Sequence, residues 1–72
     1  MPDPPADWAP HIGRKVTMRY LLGRGDHPHT ELVGVLQAVY EGEDGVAMLK
    51  VLDKRGETHH LRQADVVAAK IF

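Results

Sequence analysis

"ELVGVLQAVYE", residues 31–41, is the stretch on which the fold turns. Read as an extended chain, it is apolar on both sides, with Leu32, Leu36, Ala38 and Tyr40 on one and Val33, Val35 and Val39 on the other. Its alternation has a period of two, and Gly34 stands inside the run. A long strand that is apolar on both faces and holds an internal glycine suits a sheet that bends. The glycine permits the bend, and each half of the strand then feeds a different part of one core.

The flanking segments carry the same period. In "RKVTMRYLL" (14–22), Val16, Met18, Tyr20 and Leu22 fall on one side, and Lys15, Thr17 and Arg19 on the other. That is the pattern of a half-buried strand. "GEDG" (42–45) is a turn, with Asp44-Gly45 as its hairpin signal. "VAMLKVLD" (46–53) reads as a third strand, "KRG" (54–56) as a tight turn and "ETHHLR" (57–62) as a fourth strand. "QAD" (63–65) offers one turn of 3₁₀ helix before a short fifth strand, "VVAAKIF" (66–72). The Ala-rich "ADVVAAK" also has helical propensity, so an open α+β arrangement with a C-terminal helix is the alternative. The expected fold is all-β, a small five-stranded SH3-like barrel with a short 3₁₀ turn before the last strand. Closing the sheet removes the exposed edges that an open one would leave.

The barrel is expected to span residues 12–72. Residues 1–11, "MPDPPADWAPH", hold four of the five prolines and read as a flexible, extended N-terminal arm. Trp8 is the arm's one large apolar side chain, expected to dock on the body or to mark a partner site.

Seventy-two residues make one domain at most, and so small a domain buries only about 60% of its unfolded surface. There is no cysteine, so aliphatic packing has to supply the core. A net charge of -1 gives no bulk attraction to nucleic acid or anionic lipid. No apolar run approaches the roughly 18 residues of a membrane span, and "MPDPPADW" lacks the basic and apolar regions of a signal peptide. A soluble, cytoplasmic protein is the expectation.

The residues that could carry chemistry are few. "GRGDHPHT" (23–30) fills the connection between the first two strands, where Gly, Asp and Pro serve the turn itself. His27 and His29 flank Pro28, but a tetrahedral zinc needs three or four ligands. The other candidates, Asp26, His59 and His60, lie on a loop flank and a different strand, so no metal site is expected. The Arg-Gly-Asp tripeptide reads as loop and not as an adhesion signal. Of the adjacent pair His59-His60 only one can face inward; with Leu61 in the core it is His59, expected to bond backbone through a ring nitrogen. Thr17, Thr30, Thr58, Tyr20 and Tyr40 are the only hydroxyls, and serine is absent. This inventory argues against covalent catalysis. Glu41, Glu43 and Asp44 read as a solvated acidic turn.

The frames "IGRKVTMRY" (12–20), "ELVGVLQAV" (31–39) and "LRQADVVAAKIF" (61–72) resemble the SH3-like domain at the N-terminus of some actinobacterial GNAT-family acetyltransferases. The matching residues are Gly13, Arg14, Lys15, Val16, Arg19 and Tyr20, then Val33 and Gly34, then Ala64 to Lys70. The closing stretch is the most specific part, and "KIF" departs from the Pro-rich linker that usually follows. In such proteins the acetyl-CoA chemistry belongs to a separate domain. Its pyrophosphate loop is not matched here: Gly23-Arg24-Gly25 lacks the Gln or Arg expected at position 20, which is Tyr20.

The resemblance implies a non-catalytic accessory module without a cofactor, associated in cis or in trans with an acetyltransferase domain or with itself. Trp8, Tyr40, Ile71 and Phe72 are its candidate contact surface. The alternative is a small nucleic-acid-binding barrel using Arg14, Lys15, Arg19 and Arg62. Against it stands a shortage of aromatics for base stacking. An Sm-like RNA ring would in addition need strand-edge assembly and a polar nucleotide pocket, and neither is legible in the sequence.

Overall fold

The computed structural model describes residues 1–22 and 29–72. Five antiparallel strands form one sheet: β1 (Lys15–Leu21), β2 (His29–Glu41), β3 (Ala47–Asp53), β4 (Thr58–Arg62) and β5 (Val66–Ile71). Their order is β4-β3-β2-β1-β5, so the first strand lies between the second and the last. The outer strands β4 and β5 are joined by a 3₁₀ turn, Gln63–Asp65, which brings the two ends of the sheet toward each other. The architecture is an all-β small barrel, and the expected five strands and closing 3₁₀ turn are present. Residues 66–71 are strand, so the alternative with a C-terminal helix does not occur.

One inner face makes the core. Val16 and Met18 of β1, Leu32 and Leu36 of β2, Leu49 and Val51 of β3, Leu61 of β4, and Val66 and Ala69 of β5 are all buried. Tyr20, Val39 and Ile71 pack against them from the rim. No polar or charged residue among those described is buried. The cohesion is therefore apolar, each fully buried large side chain contributing about 1.5–3 kcal/mol.

β2 holds the sheet together because it pairs with β1 along its first half and with β3 along its second. Its inward residues are even-numbered through Leu36, but Val39 is the one that packs on the core beyond that point. The register slips between Leu36 and Ala38, so the chain changes face there. A bulge at this position accounts for the two-sided apolar pattern. Gly34 is needed for a different reason than flexibility. A Cβ on it would lie 2.4 Å from the Leu52 carbonyl oxygen and 2.9 Å from Val51 Cγ1. Only a residue without a side chain lets β2 and β3 approach that closely.

The N-terminal segment lies against the barrel. Trp8 is 1% exposed and belongs to the core cluster. A 3₁₀ turn, Ala9–His11, leads from it toward β1. Upstream, the Ala69 N–H donates to the Pro2 carbonyl oxygen at 2.9 Å, and Gln63 Nε2 to that of Ala6 at 3.4 Å. A large indole gains more by entering an under-filled barrel than the prolines lose by being held.

Candidate functional site

The expected contact residues separate into three places. Trp8 is 1% exposed and belongs to the core cluster. Tyr40, near the end of β2, exposes 38% of its surface, and its hydroxyl sits 2.7 Å from His60 Nδ1 of β4. The two rings meet edge to face at a centroid separation of 5.9 Å. Ile71 and Phe72 lie at the far end of β5, opposite Val16 and Lys15, with Ile71 half-buried and Phe72 exposed.

Phe72 is held by cations. The Lys15 and Lys70 ammonium groups stand 5.4 Å and 5.1 Å from its ring centroid. Arg14 Nε donates to the Phe72 carbonyl oxygen at 2.6 Å, and the Phe72 N–H donates to the Lys15 carbonyl oxygen at 2.9 Å. Two lysines against one exposed ring pre-position an aromatic without hiding it, at about 0.5–1 kcal/mol for each contact.

Beside this group the outer face of β1, β2 and β3 forms a shallow groove of about 250 Å³. Val33, Val35 and Leu52 are its apolar wall, and Lys15 and Lys54 stand at its margin. Lys15 borders both Phe72 and the groove. The strand pairing explains the placement: Lys15 faces Val35, Val35 faces Leu52, and Thr17 lies between Lys70 and Val33. Period two puts these side chains on the face opposite the core. That Val33, Val35 and Leu52 share a face depends on register and is not legible in the sequence.

Each of the four basic residues of the alternative reading has a local partner. Arg14 and Lys15 engage Phe72. Arg19 pairs with Glu31 at 2.9 Å, and Arg62 with Asp65 at 2.9 Å.

His59 faces inward relative to His60, as expected, but its partner is a carboxylate and not backbone. His59 Nε2 lies 2.7 Å from Asp53 Oδ2. The other oxygen, Oδ1, accepts the backbone N–H groups of Arg55 and Glu57 at 2.9 Å and 3.0 Å. The hydrogen bond with His59 and those two backbone donors hold the Asp53 carboxyl below its ordinary value of 3.8, against the opposing effect of partial burial. Ligand atoms of Asp53, Glu57 and His59 all lie within 4.8 Å of one another. The hydrogen bonds of Asp53 clasp the β3–β4 hairpin. Of the histidines weighed together as ligands, His29 is exposed at the start of β2, while Asp26 and His27 lie outside the described residues, as do Gly23, Arg24 and Gly25.

Residues 10–70 match the family model of the Rv0428c N-terminal Sm-like domain. The chain belongs to that family. The match runs from Pro10, inside the Ala9–His11 turn, to Lys70, one residue before the end of β5, and it begins two residues after Trp8. Sm-like describes the barrel in this family. No curated protein and no solved structure matches the chain. Among the described residues, no helix is long and apolar enough to cross a membrane.

Proposed function

We propose that this chain is a non-catalytic barrel module that docks a folded protein partner through the outer face of β1–β3 and Phe72. The observation that carries the reading is the apolar strip, exposed at Phe72 and Val33 and half-buried at Val35 and Leu52, with Lys15, Lys54 and Lys70 beside it and Asp53 also lining the groove. It fits an apolar protrusion ringed by carboxylates. Apolar contact supplies most of the affinity of such a pair, and complementary charge sets the approach and orientation. The family name places the domain at an N-terminus, which accords with a module that precedes another domain. The resemblance to the SH3-like domain of GNAT acetyltransferases makes an acetyltransferase domain the first partner to test, in cis or in trans. In this role the barrel positions or regulates, and the partner does the chemistry.

The test is titration calorimetry of the chain with a GNAT domain encoded in the same or an adjoining reading frame. Saturable binding that Phe72→Ala or Val33→Lys abolishes supports the reading. Absence of association at high micromolar concentration would count against that partner, and binding indifferent to both substitutions would count against this face.

A second reading has its own observation. On the outer face of β2, β3 and β4, the Ala38–Lys50–His60 and Tyr40–Met48–Arg62 rows lie side by side. An exposed tyrosine and imidazole next to two cations suit a stacked base and its phosphate. A filter-binding titration against a single-stranded oligonucleotide over a salt series decides it. A signal that is absent or independent of salt removes the reading.

A further inference from the structure

A second concavity lies on another part of the barrel, where the N-terminal segment crosses the start of β3 and the closing 3₁₀ turn. This cleft, of about 300 Å³, is walled by Pro4, Pro5, Trp8, Val46, Gln63 and Val66, and no charged side chain lines it. Val46 is 37% exposed at its edge. Trp8, 1% exposed, is one of the lining residues, and its indole Nε1 is buried without a hydrogen-bond partner. It is the only such buried side-chain atom among the described residues. A buried donor left unmade costs about 1–3 kcal/mol, which an acceptor brought by a ligand would recover.

The wall restricts what that ligand is. An ion entering a cleft without countercharge loses hydration that nothing replaces. Gln63 spends one amide N–H on Ala6 at the long distance of 3.4 Å, leaving its carbonyl oxygen to accept. Trp8 thus offers a donor and Gln63 an acceptor, set among proline rings and small aliphatic groups. A secondary amide next to a small apolar side chain meets all three demands.

We propose that this cleft binds an uncharged, extended peptide segment, one backbone carbonyl accepting from Trp8 Nε1–H and its N–H donating to Gln63. Because the indole nitrogen is buried, the Pro4–Pro5 stretch beside Trp8 shifts outward as the peptide enters. Two inter-segment hydrogen bonds, Ala69 N–H to Pro2 and Gln63 to Ala6, resist that movement. The inference stands apart from the docking face, since neither Phe72 nor the β1–β3 groove takes part.

The chain has one tryptophan, so it has a single indole N–H resonance to follow. Titrating the ¹⁵N-labelled full chain with the blocked peptide acetyl-Ala-Val-Ala-amide is expected to move that resonance saturably downfield. Acetyl-Ala-Asp-Ala-amide is expected to bind at least tenfold more weakly. Ala64→Leu, which fills the cleft from an exposed position, is expected to abolish the shift while the backbone spectrum stays folded. Trp8→Phe is expected to weaken binding roughly tenfold through loss of the donor. Should Trp8→Phe unfold, Ala64→Leu and Gln63→Leu decide. An indole signal unmoved at millimolar peptide, one whose partner is an exchanging water alone, or a shift that survives Ala64→Leu overturns the proposal. Equal binding of the charged peptide does so as well.

Discussion

Asp53 Oδ2 and His59 Nε2 meet at 2.7 Å across the β3–β4 hairpin, while Asp53 Oδ1 gathers the N–H groups of Arg55 and Glu57. One carboxylate therefore organises the whole connection. Gly56 supplies what the carboxylate cannot, a backbone at φ 87 that turns the chain back under the Asp53 carbonyl oxygen.

The Asp53 carboxyl sits below its ordinary 3.8 in the folded chain, first because of the His59 hydrogen bond. A depressed acid stabilises the fold above its unfolded value, and that contribution disappears as pH falls through the lower folded value. Thermal melts of the parent are thus expected to hold their midpoint from neutrality down to about pH 4 as far as Asp53 is concerned, and to lose its contribution below that. Asp53→Asn is expected to lower the midpoint at pH 7 and to flatten the acid limb. An unchanged acid limb in the variant would remove Asp53 from the clasp.

Gly34→Ala is expected to destabilise by about 3 kcal/mol, because its Cβ would meet the Leu52 backbone and not a side chain that can swing away. Urea unfolding of the purified variant measures it. A loss below about 0.5 kcal/mol would mean that β2 and β3 separate at little cost there.

Deleting residues 1–8 removes Trp8 while leaving the whole family-matched segment, residues 10–70, in place. Loss of a buried indole costs about 3–5 kcal/mol, comparable with the entire stability of many small domains. The truncated chain and Trp8→Ala are both expected to show broadened or absent thermal transitions by circular dichroism. A truncated barrel as stable as the parent would show that the indole fills no space the core requires.

Phe72→Ala is expected to separate folding from docking. The ring is about half exposed at 48%, and its cation contacts are surface ones, so the stability loss should stay under about 1 kcal/mol. The backbone groups of residue 72 that bond Arg14 and Lys15 are kept by the substitution. Denaturant melts next to the binding titration read the two effects independently. A large stability loss would make Phe72 a structural residue.

Five strands, two hairpin turns and the closing 3₁₀ turn were all legible in the sequence. Each of these rests on chain-local causes: period-two alternation, Asp-Gly and Arg-Gly turn chemistry, and an absence of helical spacing. The inward facing of His59 was legible too, since parity relative to Leu61 is a local property. The sheet order that sets β1 beside β5 is a matter of tertiary pairing, and so is the place of Trp8 in the core, because the gap it fills is bounded by residues far away in sequence. The partner of His59 was likewise hidden. Asp53 sits on the preceding strand, and only the hairpin register brings the two together. Gly34 was visible as an interruption of β2, yet its cause, the Leu52 carbonyl, belongs to the neighbouring strand. The face shared by Val33, Val35 and Leu52 arises in the same way: alternation tells which side a residue takes on its own strand, and cross-strand pairing decides what stands beside it.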